Sequence, residues 1–169
     1  TEDFQVLWVA LYDYPPGWKM KYPHNHNYYQ MIYAIDGEGE HLIGDATYAI
    51  RPARLYFIKP FLSHQITKVT GRDLMTYDLK FEVNDSRIST SLDQIPMVTV
   101  LSSAKILDLF KTIREEWMKK KTFYNDLSSV YLIQILLNVL RLLEADNEIP
   151  PLELHELLSI ADSNKPCNL

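Results

Sequence analysis

The sequence predicts a mainly β domain followed by an antiparallel pair of helices. From Phe4 to about Val83 it reads as short β-rich runs separated by turn residues. Between about Asn84 and Val100 it turns polar and irregular, and beyond that the apolar residues recur with a helical period. Many short strands with regular turns point to a sandwich, barrel or jelly roll. No helix-length segment interrupts the runs, which argues against a parallel α/β sheet.

The runs are FQVLWVALY, YYQMIYAI, HLI, TYAI, LYFI, HQITKV and LMTYDLKFEV. Their separators are Pro15-Pro16-Gly17, Asp36-Gly37-Glu38-Gly39, Gly44-Asp45, Arg51-Pro52 and Thr70-Gly71, all built from residues that favour turns. In the second half, Ile106, Phe110, Ile113 and Trp117 share one helical stripe, with Ser102 or Ser103 placed to cap it. A second helix is expected from Asp126 to Ala145, capped by Asn125. Its only polar stripe is Gln134, Asn138 and Arg141, so it should be covered on more than one side. Pro150-Pro151 ends that region, LELHELLSIAD reads as one more short amphipathic helix, and SNKPCNL as a polar tail. The expected division is a barrel over 1–100, a helical pair over 101–149, and a short helix with the start of a linker over 150–169.

Composition narrows the function classes. The 169 residues suffice for one domain with a proper core. A net charge of −5 weighs against direct nucleic-acid binding, which needs clustered Lys and Arg. The basic run Lys119-Lys120-Lys121 follows a helical segment, where cations suit a helix C-terminus. Cys167 is the only cysteine, so no disulfide framework exists. No signal peptide is recognisable, and the most apolar segment, VYLIQILLNVL, is interrupted by Gln134 and Asn138. A cytoplasmic protein without a membrane partner is expected.

The stretch PHNHNYYQMIYAIDGEG carries the chemistry. On a strand, His24, His26, Tyr28, Gln30, Ile32, Ala34 and Asp36 fall on one side and Tyr29, Met31, Tyr33 and Ile35 on the other. The odd side is uniformly apolar or aromatic and wants cover. The even side mixes polar and apolar groups, as the wall of a pocket does. His-x-His is a metal-ligand spacing, and His64 after LYFIKP is a third candidate ligand. A carboxylate usually completes such a site, but Gln30 stands in that position with a neutral, poorer ligand. Pocket histidines held by hydrogen bonds, with no metal or other cofactor, are therefore the expectation; a metal, if present, would sit on His24, His26 and His64.

These residues resemble the cupin motifs: Gly17, His24, His26, Gln30 and Gly37 follow the order of the first, and Pro60 and His64 loosely match the second. More specifically, the chain resembles the sensor domain of AraC-type transcription regulators. The resemblance runs through His24-Asn25-His26, Gly37-Glu38-Gly39, Tyr48-Ala49-Ile50-Arg51-Pro52, Pro60-Phe61-Leu62-Ser63-His64, YDLKF, LFKTIREEW and LIQILLNVLRLL. It covers roughly Phe4 to Leu143 and departs at Ala53-Arg54, Asp78 and Lys80. It implies a cupin-type double-stranded β-helix that binds a small molecule, helices that dimerise, and helix-turn-helix DNA-binding units beyond Leu169.

The expected ligand-binding residues are His24, His26, Gln30, Asp36 and His64, with Asp78 and Lys80 if YDLKF faces inward. Donors and acceptors beside aromatic faces suit a small polar effector such as a carbohydrate, and Trp8, Tyr12, Tyr14, Trp18 and Tyr22 supply such faces. Leu136, Leu140 and Leu142 are the expected homodimer contacts. The alternative is a metal-dependent cupin enzyme, a sugar isomerase or a dioxygenase.

Overall fold

A computed structural model describes residues 3–146; the expected short helix and linker of 150–169 lie outside the described residues. The elements are β1 (Phe4–Tyr14), β2 (Tyr29–Ile43), β3 (Ala46–Ile50), β4 (Arg54–Ile58), β5 (His64–Val83), α1 (Ser86–Leu92), β6 (Val98–Val100), α2 (Ala104–Lys119) and α3 (Tyr124–Ala145). The sheet runs β1-β5-β2-β4-β6, with β3 paired to the far end of β2 on the same edge as β4, and every pairing is antiparallel. This is the expected mainly β jelly roll with C-terminal helices.

Two long strands replace four of the expected short ones. β2 runs straight through Asp36–Gly39, and β5 runs through Thr70-Gly71. These segments bend the strands instead of ending them: the β2–β5 register shifts between Ala34 and Asp36 and again between Asp36 and Glu38. Gly37 makes the bend possible. Its φ is +84°, and a Cβ there would collide with the Asp73 carbonyl and lie 2.6 Å from Leu74 Cα. A bulge of this kind turns a strand without breaking its pairing. It also moves the inward-facing set from even to odd positions: 30, 32 and 34 are buried before it, and 39, 41 and 43 after it.

Two apolar clusters lie on opposite faces of the sheet. Ile32, Ala34, Ile43, Ile50, Tyr56, Ile58, Ile66, Val69 and Leu74 fill the barrel interior. The odd face of β2, with Tyr29, Met31 and Tyr33, is covered as expected. Its cover is Ile88 and Leu92 of α1, Ile106, Phe110 and Ile113 of α2, and Leu132, Ile135 and Val139 of α3. Each such side chain contributes roughly 1.5–3 kcal/mol by leaving water, so the helices belong to the domain's core.

The polar stretch after Val83 holds structure that its composition hides. Asp85 caps α1, accepting from the backbone N–H groups of Arg87 and Ile88, and β6 pairs with β4. Ser103 caps α2, accepting from Ile106 N. α3 begins two residues earlier than expected: its N-cap is Phe123 in the left-handed region, with no side-chain cap, not Asn125. With 22 residues, α3 is long and apolar enough to cross a membrane by length and composition. Its inner side is nevertheless built into the core just described.

That packing revises the expected dimer surface. Leu136 and Leu140 are only 3% and 4% exposed and lie in the core of their own chain, whereas Leu142 is 37% exposed. Leu127 and Val130 join it on the outer side of α3. The sheet and α2 together cover the inner side of this apolar helix.

Candidate functional site

The loop between β1 and β2 delivers His24 and His26 to the start of β5. His24 and His64 form an isolated antiparallel bridge, with His24 N donating to His64 O at 3.1 Å and His64 N to His24 O at 2.9 Å. Three imidazoles converge there. Ring centroids are 4.2 Å apart for His24–His64, 5.0 Å for His26–His64 and 6.1 Å for His24–His26. Of the expected site residues, this joins His24, His26 and His64.

Gln30 and Asp78 extend the cluster into the barrel. Gln30 Oε1 lies 2.8 Å from His26 Nε2, and Gln30 Nε2 donates to Asp78 Oδ2 at 2.7 Å. His26 Nδ1 lies 2.8 Å from the Tyr28 carbonyl, and its ring stacks on Tyr28 with centroids 3.9 Å apart. A carbonyl oxygen only accepts, so two proton arrangements complete this chain. In one, an imidazolium at His26 faces an Asp78 carboxylate across the amide. In the other the amide is turned over, His26 is neutral and Asp78 carries the proton.

Burial sets the electrostatics. It pushes the Asp78 carboxyl up to about 6, against the opposing pull of Lys80 and of the Gln30 hydrogen bond. His64 is pushed down to about 4 by burial; its bond to Leu62 O pulls the other way, and His24, His26 and Lys80 reinforce the lowering. His24 is lowered by burial, His26 and Lys80. A Leu62 carbonyl 3.2 Å from His64 Nδ1 places the proton on that nitrogen, so Nε2 presents a lone pair. Lys80 lies opposite Gln30 in the β2–β5 register and reaches over the Tyr28 ring at 6.0 Å. YDLKF therefore does face inward with Asp78.

The aromatic wall is on β1 and the turn after it. Trp8 Nε1 donates to the Tyr12 hydroxyl at 3.1 Å, and Tyr12, Tyr14 and Trp18 follow at centroid separations of 5.7 and 4.3 Å. The Tyr14 hydroxyl is pushed up by burial and by Asp78 and Tyr12. Tyr22, at 68% exposed, stands outside this wall.

Asp36 is not brought to the cluster. It accepts from Gly37 N, pairs with Arg72 at the bend, and lies six residues, roughly 20 Å of strand, from Gln30. The register shift at 34–36 turned it off the inward face. The same shift brought in a residue the alternation missed. His41 is completely buried, 5.8 Å from His64 by ring centroid, and neither ring nitrogen has a partner. Burial, then His64 and His24, lower it to about 3.

A cupin-like histidine cluster raises the question of a metal. One ligand atom from each of His24, His26 and His64 lies within 4.8 Å of the others. Both nitrogens of His26 are already engaged, by Tyr28 O and Gln30 Oε1, and the nearest carboxylate, Asp78, is bound to the far side of that amide. A cation would have to break the His26–Gln30 contact and would then find three imidazoles and no carboxylate. The donor set departs from the two-histidine-one-carboxylate pattern of non-haem iron; three imidazoles alone are a zinc-type set, available only if His26 leaves Gln30. What it does offer is a cluster of buried, unpartnered polar atoms, His64 Nε2, Asp78 Oδ1 and Thr76 Oγ1, beside aromatic rings.

Over 84 residues the chain is 32% identical to the uncharacterized HTH-type transcriptional regulator YfiF of Bacillus subtilis (strain 168), covering 46% of this chain and 26% of that protein. The match thus spans about a quarter of that relative's length. Among solved structures, the chain is similar to a predicted oxalate decarboxylase from Thermotoga maritima, at 22% identity and a TM-score of 0.44, covering 46% of this chain and 68% of that one. It is also similar to a cupin protein from Bacteroides fragilis, at 16% identity and a TM-score of 0.40, covering 46% and 66%. The AraC-like ligand binding domain profile matches residues 8–159, and the chain belongs to that family.

Proposed function

We propose that the chain is the effector-sensing domain of a cytoplasmic AraC-type transcription regulator. It takes a small polar effector, a carbohydrate, inside the barrel and controls a helix-turn-helix DNA-binding domain elsewhere in the protein. The observation that carries this reading is the buried polar wall of Gln30, Asp78 and His64 in a mainly apolar barrel. Buried polar atoms without partners are costly, and a ligand rich in hydroxyls removes that cost. The aromatic faces of Tyr12, Tyr14 and Trp18 provide stacking surface beside it. A thermal-shift screen with mono- and disaccharides is expected to give a concentration-dependent rise in Tm, since a ligand of the native state stabilises it. His26→Ala and Gln30→Ala should remove the rise while leaving a folded protein. Silence across the sugars, with shifts from another metabolite class, would overturn the carbohydrate assignment.

The rival reading, a metal-dependent cupin enzyme, draws on the convergence of the three imidazoles. Elemental analysis of the purified protein is expected to find transition metal well below one equivalent. About one Fe, Mn, Ni or Zn per chain, lost in His24→Ala/His64→Ala, would overturn the non-enzyme reading.

Homodimerisation through α3 is the third part of the proposal, now resting on Leu127, Val130 and Leu142, which are 39%, 42% and 37% exposed. Leu127 and Val130 adjoin near the start of the helix and Leu142 stands near its end, and exposed apolar side chains of this kind favour a partner surface. Light scattering should give twice the chain mass, with Val130→Glu/Leu142→Glu running as a folded monomer. Wild type that stays monomeric at tens of micromolar would contradict it.

A further inference from the structure

We propose that the effector is a neutral polyol whose hydroxyls donate to two buried acceptors, Asp78 Oδ1 and His64 Nε2, so that sugar acids are excluded. This rests on the effector-sensing reading and specifies what that site selects. The two atoms come from different ends of β5, yet both border the imidazole cluster. Asp78 reaches it through Gln30 and His26, and His64 through its bridge to His24.

The polarity of each atom follows from its partner. His64 Nδ1–H is directed at the Leu62 carbonyl, which leaves Nε2 a lone pair and no proton to give. Asp78 Oδ2 accepts from the Gln30 amide, which leaves Oδ1 an acceptor without a donor. Both atoms are buried and unpartnered, with their residues 1% and 5% exposed. Thr76 Oγ1, two residues from Asp78 on the same inward face, is unpartnered as well and can either give or accept. A ligand that reaches both atoms must therefore donate at two points.

Charge argues against an anion. A carboxylate placed here would face the Asp78 carboxyl and the His64 lone pair. Lys80, on the same face as Asp78 and two residues along β5, offsets its charge. A neutral ring with adjacent hydroxyls meets both acceptors, and its apolar face suits the Tyr14 and Trp18 rings.

The test is isothermal titration of the 169-residue chain with D-glucose, D-galactose, D-mannose, D-xylose and L-arabinose, their monodeoxy counterparts, and D-glucuronate and D-galacturonate. At least one neutral aldose should bind, and at least one of its monodeoxy forms should bind 100-fold or more weakly, because the missing hydroxyl strands a buried acceptor. The uronate should bind no better than that deoxy form. Asp78→Asn can keep its contact with Gln30 but presents an amide N–H in place of Oδ1, and should lose 100-fold with its circular dichroism and Tm unchanged. Equal binding of every deoxy form, tighter binding of a uronate, or unchanged affinity in a folded Asp78→Asn would overturn the proposal. No binding in this panel, alongside a thermal shift from a ligand of another class, would overturn it and leave effector sensing standing. No shift with any small molecule would remove both.

Discussion

Between pH 7 and pH 4 the domain is expected to lose about 4 kcal/mol of stability, and two buried histidines account for the loss. In the fold His41 is lowered to about 3 and His64 to about 4, each mainly by burial. Unfolded, both rings titrate near the ordinary value of 6.5. The unfolded chain therefore binds more protons below pH 6.5. The stability tied to both neutral rings is fully present above that value and is lost as pH falls toward the folded values. Each ring contributes roughly 2–3 kcal/mol by pH 4.

Asp78 works in the opposite direction. Its folded value of about 6 lies above the ordinary 3.8, so the folded state holds its proton more tightly. Its contribution is greatest below 3.8 and disappears as pH rises through 6, which returns roughly 2 kcal/mol in acid. The histidines win. His41→Phe separates the effects, since it removes two unpartnered buried nitrogens and leaves a ring of similar size beside Tyr56. In urea unfolding it should stabilise at both pH values, and by about 3 kcal/mol more at pH 4 than at pH 7. Wild-type stability that stays flat from pH 7 to 4, or an equal gain at both, would contradict the burial of a neutral His41.

Gly37→Ala is expected to cost about 3 kcal/mol or more, and Gly17→Ala only about 1. Both glycines have nearly the same positive φ, +84° and +83°. Backbone strain is thus common to both changes. They differ in space: a Cβ at Gly17 meets nothing within 4 Å, whereas at Gly37 it strikes the Asp73 carbonyl and the Leu74 backbone. Backbone cannot rotate away as a side chain can, so β5 must separate from β2 at the bend. Chemical unfolding of the pair reads the crowding directly, and equal losses would show that the bend is looser than described.

That bend also separates what the sequence made legible from what it concealed. Apolar alternation correctly assigned Tyr29, Met31 and Tyr33 to a covered face, because nothing disturbs the pleat before Ala34. Beyond it, a shift in register reverses which parity faces inward, so Asp36 was expected inside and His41 was not. Alternation has no signal for a bulge except the glycines, and Gly37 and Gly39 look the same in a turn as in a bent strand. The His24–His64 bridge joins residues forty positions apart and was visible only as a motif spacing. For α3, composition gave the apolar circumference but not the partner, so Leu136 and Leu140 were placed at an interface although the core takes them.

The most direct measurement is a crystal structure of the chain with whichever aldose gives the largest thermal shift. The sugar should lie inside the barrel, with hydroxyls within about 3 Å of Asp78 Oδ1 and His64 Nε2 and a ring face against Tyr14 or Trp18. A sugar seated outside the barrel, or a metal ion bridging His24, His26 and His64 with Gln30 turned away from His26, would contradict it.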